Sequence, residues 1–355
     1  MLVSETGEIQ AQDTREMCSQ YSLSHGEDPI GSAVVNEHYV VMELPMPWPA
    51  DAWHTPQLSA GVREVARLAQ ENGVDVRSLA IVPDAEYSLE GHTRLFHFHR
   101  PEGYFSCFDK QEFLVPTGLV AELLAALYAG PEALAPFETY RQDSGHIREL
   151  LVCTHGTRDA CCGKFGYPLY DALRNHYAPA SEGRLRVWRV SHLGGHRFSP
   201  TLLDFPGGHY WGRLNAQSVA TLMTQDRPPD SLRMNYRGWA GLDALSQVVE
   251  REILALEGWR WLDYLKSGRV LDRGEHKAWA RVRIDYTSPD GSDIGAYEAL
   301  LEKSGTVLSI GSCRGNEPPK SREQHHVTEL VKLDGGERKT VIHRRDAEDA
   351  EGTQR

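Results

Sequence analysis

Apolar positions along the chain fall into short alternating runs and longer runs of helical period, which set out an order of elements. The run His38-Tyr39-Val40-Val41-Met42-Glu43-Leu44 reads as a strand stopped by the proline-rich PMPWPA. Leu58, Val62, Val65 and Ala69 recur at helical spacing, and Asn72-Gly73 closes that helix. Strands are expected at 79–82, 94–99 and 104–114. A helix follows over 119–128, with Thr117 as its N-cap and Gly130 as its stop. The same β-α-β-β-β-α order then returns. Residues 150–152 make a strand, and Tyr170, Leu173 and Tyr177 mark a helix face. Strands are expected at 185–190, 201–205 and 210–214, then a helix over 216–223 capped by Asn215. After TQDRPPDS, Leu242, Leu245, Val249 and Leu256 form one further helical stripe. Beyond Gly258 the pattern turns to strands at 260–265, 278–286, 306–310 and 326–333.

The repeated order predicts an α/β protein of thioredoxin-like units, in which helices cover a mixed sheet. Four regions are expected. A degenerate thioredoxin-like unit covers 1–140 and begins with a polar, irregular segment up to about Ala33. A second thioredoxin-like unit covers 141–258, and a small β-rich region covers 259–335. A charged tail over 336–355, nearly free of large apolar residues, is expected to be disordered.

The length of 355 residues allows two or three domains, and 40% hydrophobic content can fill their cores. No stretch approaches the roughly 20 apolar residues of a membrane helix, so no membrane insertion is expected. The N-terminal MLVSETGEIQ lacks a basic region followed by an apolar one, which predicts a cytoplasmic protein. A formal net charge of -12 argues against nucleic acid as a partner, because such a footprint needs clustered Lys and Arg. It suits docking on a basic protein partner, or solubility alone. The six cysteines do not make a disulfide scaffold in a chain this long. Three of them, Cys153, Cys161 and Cys162, crowd into one segment, which points to metal or redox chemistry.

Two loops at strand ends carry the candidate chemistry: Cys153-Thr-His-Gly-Thr-Arg-Asp-Ala-Cys-Cys162-Gly, and Ser191-His192-Leu-Gly-Gly-His196-Arg197. In a thioredoxin-like unit they would lie side by side and face one pocket. A [2Fe–2S] cluster needs four protein ligands, and imidazoles can replace two of its thiolates. A long loop between cysteines can wrap a cluster, with Gly156 and Gly163 relaxing the backbone. The spacing of His192 and His196 would also suit one helix face, but Gly194-Gly195 disfavours a helix there.

The segments CTHGTRDACCG, VSHLGGHRFSPTLLDFPGGHYWGRL and NYRGW closely resemble the sucrase/ferredoxin-like family, most clearly over 150–250. EDPIGSA and the strand leading into PMPWPA resemble it more weakly. The resemblance implies a thioredoxin-like ferredoxin domain. It also implies a [2Fe–2S] cluster with a C-x8-C and H-x3-H ligand pattern, which maps onto Cys153, Cys162, His192 and His196. Cysteines precede histidines in that order, so one iron is expected to take both thiolates and the other both imidazoles. Neutral imidazoles raise the potential relative to an all-cysteine cluster. They also leave a ring nitrogen able to exchange a proton. The midpoint potential is therefore expected to fall as pH rises, which potentiometry over a wide pH range checks; a flat potential would count against imidazole ligation. The family's sucrase label finds no pair of glycosidase carboxylates here.

Other readings of the same residues stay open at this point. The four ligands also suit structural zinc, which would be colourless, or they are inert core residues. Cys161 is an alternative to Cys162, although the spacing favours Cys162. Cys18, Cys107 and Cys313 have no partner at metal spacing and are read as non-ligands. His155 is read as structural, Arg158 and Arg197 as partners of Asp159 or of cluster charge, and Tyr210 and Trp211 as core. The function expected is a one-electron carrier serving an unidentified redox partner, a reductase or an acceptor enzyme. The alternative is an oxidoreductase in its own right. No G-x-G-x-x-G follows a strand and no G-x-x-x-x-G-K-[ST] occurs, so no nucleotide site is expected.

Overall fold

Tyrosine, valine and phenylalanine alternate along the first strands, and this period of two sorts them onto opposite faces. In a computed structural model that describes residues 16–275, 278–314, 318–334 and 337–341, β1 (His38–Glu43) sends Tyr39 and Val41 into one core. Val40 and Met42 enter another, beneath helices α2 (Ala60–Glu71) and α3 (Val120–Ala129). The strands β2 (Val76–Ile81), β3 (His92–His99) and β4 (Asp109–Pro116) complete this half. The second half consists of β5 (Arg148–Cys153), α4 (Ala160–Ala172), α5 (Ala178–Ala180), β6 (Leu185–Val190), β7 (Leu202–Phe205), β8 (His209–Trp211), α6 (Ala216–Thr224) and β9 (Tyr236–Trp239). A short helix, α1 (Cys18–Ser24), precedes both halves, within the segment expected to be irregular.

One mixed sheet runs β4-β3-β1-β2-β6-β5-β7-β8-β9. Within it β1 is parallel to β2 and antiparallel to β3, which is antiparallel to β4. Likewise β5 is parallel to β6 and antiparallel to β7, which is antiparallel to β8. The orders β2-β1-β3-β4 and β6-β5-β7-β8 are the same. The halves meet where Ile81 of β2 pairs with Val190 of β6, supported by Val82 N–H to Arg189 O at 3.0 Å and Ser191 N–H to Ala80 O at 2.8 Å. The sheet folds back at this seam. Four strands separate β3 from β7, about 24 Å along a flat sheet, yet Phe98 of β3 stacks on Phe205 of β7 at 3.9 Å between centroids. The two half-sheets therefore face each other across a shared core.

A buried ion network crosses that core. Arg186 of β6 donates to Glu112 of β4, with Nη2 2.5 Å from Oε2, and through Nε to Glu149 Oε1 of β5 at 3.0 Å. Arg94 also pairs with Glu112, Lys110 lies 2.7 Å from Glu149, and Trp188 Nε1 donates to Glu149 at 2.7 Å. This set meets the demand that buried charges be paired and hydrogen-bonded.

Helix α7 (Ala244–Glu257), capped by Asp243, leads to an antiparallel five-stranded sheet. Its strands are β10 (Leu265–Arg273), β11 (Trp279–Thr287), β12 (Ile294–Ser309), β13 (Lys320–Asp334) and β14 (Glu337–Val341). The β-rich C-terminal region is thus present, with corrections. The strand expected at 260–265 is a 3-10 turn, Trp259–Asp263, following Gly258 at φ 77°. β12 and β13 begin well before 306–310 and 326–333: the start of β13, 320–325, is polar and carries no apolar alternation, whereas the early part of β12 buries Ala296, Tyr297, Ala299 and Leu301. The tail expected to be disordered from 336 instead begins with β14, and 342–355 lie outside the described residues. Thr117 is not an N-cap but accepts from Thr93, at 3.1 Å between hydroxyl oxygens, whereas Asn215 caps α6 in a reciprocal box with Ser218. Among the described residues no helix is long and apolar enough to cross a membrane.

Candidate metal centre

Cys153 is the last residue of β5, and its parallel pairing with Val190 of β6 fixes its position. Asp159 caps α4, its Oδ1 accepting from the Cys161 amide at 3.0 Å, so Cys162 stands in the first turn of the helix. Gly166 lets α4 close on β5: a Cβ there would lie 1.9 Å from the Cys153 carbonyl oxygen. Gly156 and Gly163 have ordinary φ, contrary to expectation. They are small because they pack on each other, a Cβ at Gly163 falling 2.9 Å from the Gly156 Cα. The Cys loop is tied to the first half through its Pro-rich loop. His155 Nε2–H donates to Pro49 O at 2.8 Å, and the Thr157 hydroxyl donates to Trp48 O at 2.7 Å.

The histidine loop leaves β6 through Gly194 and Gly195, both left-handed at φ 82° and 69°. Two arginines hold its backbone: Arg77 donates to His192 O at 3.2 Å and Arg237 to Gly194 O at 3.0 Å. Arg237 also donates to Ser32 O at 2.8 Å, and its full burial lowers its pKa to about 10.

These elements bring Cys153, Cys162 and His192 together, with their donor atoms all within 4.8 Å of one another. Cys162 Sγ is 3.7 Å from His192 Nδ1. The fourth expected ligand, His196, is not within that group. Its ring stands edge-on to His192, 5.2 Å between centroids. Its Nδ1 lies 2.8 Å from Asp159 Oδ2, an ion-pair distance without hydrogen-bond alignment, which leaves Nε2 as its remaining donor. The two cysteines are buried and the two histidines are half-buried, so the imidazole side faces outward.

The thiols of the pair influence each other. Cys162 donates to Cys153 and holds it well below the usual thiol range, and His192 acts in the same direction. That bond and burial push Cys162 up. Burial opposes ionisation of Asp159, but His196, Ser312 and the Cys161 amide outweigh it and hold the carboxylate below its ordinary range. Burial lowers the His155 pKa.

A second group was missed from sequence. Cys18 and Cys313, read there as non-ligands, converge with Cys161 and Asp159, again with all donor atoms within 4.8 Å. No spacing signal joins residues this far apart. Arg197 pairs with Glu27 at 2.6 Å rather than with Asp159, and Arg158 and Cys107 are exposed. Tyr210 and Trp211 are core residues, as expected.

Paired buried thiols beside two imidazoles at strand ends are a donor set for a soft transition metal or an iron–sulfur group. The donors that converge are two thiols and one imidazole, Cys153, Cys162 and His192. These features belong to a mixed α/β protein with a candidate Cys/His metal centre. The sequence profile of the sucrase/ferredoxin-like family matches residues 29–238, more than half of the chain, and the chain belongs to that family. A search of curated proteins and a search of solved structures each returned no match. The matched span reaches β9 and stops before α7 and the five-stranded sheet.

Proposed function

We propose that the chain is a one-electron carrier, a thioredoxin-like ferredoxin in which Cys153, Cys162, His192 and His196 hold a [2Fe–2S] cluster. The observation that carries this reading is the convergence of Cys153, Cys162 and His192 from β5, α4 and the loop after β6. The family's ferredoxin-like name and the repeated strand order support it. In this reading 1–140 and 141–258 are two thioredoxin-like units, and only the second carries the donors. When bound, such a cluster takes up and returns single electrons. The chain's own residues bury the thiolate side and direct the His155 amide at Cys153. They also leave the half-buried histidines as the side on which a partner would dock. A net charge of -12 supports a basic partner, whose electron-transfer rate would fall as salt screens the field.

Protein purified without oxygen is expected to be red-brown, with about two irons and two labile sulfides per chain. Cys153→Ser and Cys162→Ser should remove most of both, because serine is a poorer iron ligand, whereas Cys161→Ser should retain them. Elemental analysis with EPR after reduction reads this out. Zinc without labile sulfide at these residues, or retention in Cys162→Ser with loss in Cys161→Ser, would overturn the assignment.

A further inference from the structure

We infer that Cys18, Cys161, Cys313 and Asp159 form a second, closed metal site that takes zinc. The thiols arrive from α1, the first turn of α4 and the loop after β12, separated by 143 and 152 residues along the chain. Cys18 Sγ is 3.4 Å from Cys161 Sγ, which is 3.2 Å from Cys313 Sγ. A disulfide needs about 2.05 Å. A tetrahedral zinc with bonds of about 2.3 Å spaces its sulfurs by roughly 3.8 Å, a small expansion of what is present. The fourth group, Asp159, has Oδ1 3.7 Å from Cys18 Sγ and a side chain with no solvent exposure. Three thiolates select a thiophilic ion, and four protein donors close the shell, as in structural zinc sites.

Polar hydrogens are also directed at these sulfurs. The Cys18 amide donates to Cys313 Sγ at 3.2 Å, and the Ser19 hydroxyl is 3.2 Å from Cys161 Sγ. Neighbouring helix residues project about 100° apart. Cys161 therefore serves this group while Cys162 serves the other. Cys18 and Cys313 both lie outside the 29–238 span matched by the family, so family membership does not imply this site. In place, the ion fastens α1 and the loop after β12 onto the start of α4.

Elemental analysis of the full chain purified anaerobically is expected to give about one zinc in addition to any iron. Cys18→Ser and Cys313→Ser should lose the zinc and keep the iron and sulfide, whereas Cys153→Ser should lose iron and keep zinc. To guard against misfolded variants, the reduced parent protein is stripped with a chelator and titrated with Zn(II). One equivalent should protect Cys18, Cys161 and Cys313 from alkylation, as mapped by mass spectrometry. The inference is overturned if the parent holds no zinc and Zn(II) protects none of the three. It is equally overturned if zinc follows Cys153 and Cys162, or if two of the three thiols are found joined in a disulfide. Absence of iron with zinc still following Cys18 would refute the ferredoxin reading alone.

Discussion

Gly166→Ala is expected to destabilise the protein by about 3 kcal/mol or more and to lower its bound metal. Overpacking in a close-packed core costs about 1–3 kcal/mol and occasionally more. Here the added methyl would sit 1.9 Å from the backbone oxygen of Cys153, which no side-chain rotation relieves. α4 must move away from β5, and it carries Cys162 with it. Gly145→Ala is the control, since a Cβ there meets nothing within 4 Å. Calorimetric Tm and metal content of the two variants decide the matter; equal values would show that α4 is not seated against Cys153 as described.

Arg186→Met is expected to cost about 3–5 kcal/mol, the range for removing one partner of a buried ion pair. The side chains of Glu112 and Glu149 are at most 1% exposed. Without the guanidinium, Arg94 and Lys110 must balance them alone. Arg186→Lys should recover only part of the loss, because a single ammonium cannot span two carboxylates as a planar fork does. Urea titration reads this as a lower midpoint with an unchanged slope. A midpoint equal to that of the parent would show that the network is dispensable.

Much of the half-sheet architecture was legible in the sequence, and the reason is periodicity. The run Leu185–Val190 and the Asn215 cap follow local rules that tertiary packing did not override. The Cys loop and histidine loop were legible as a candidate centre because glycines and ligand-type residues cluster within a few positions. What escaped was non-local. Cys18 and Cys313 gain meaning only when α1 and the β12 loop meet at α4, and nothing within either segment marks that meeting. Arg237 looked like one residue of a motif, while its work is to hold a loop some 40 positions upstream. The polar start of β13, 320–325, carries no apolar alternation, so its full length is known only from the pairing.

The half-sheets that fold back on each other bear on what this chain can lose. Strands β1 to β4 contribute none of the Cys or His donors of either metal group, yet Phe96 and Phe98 cover the inner face of the half that does. A chain trimmed to residues 141 onward would expose that face to water, together with Trp188, Phe205 and the unpaired edge of β6. Such a fragment would be prone to self-association. The first half therefore serves the second as the wall that keeps its inner face dry.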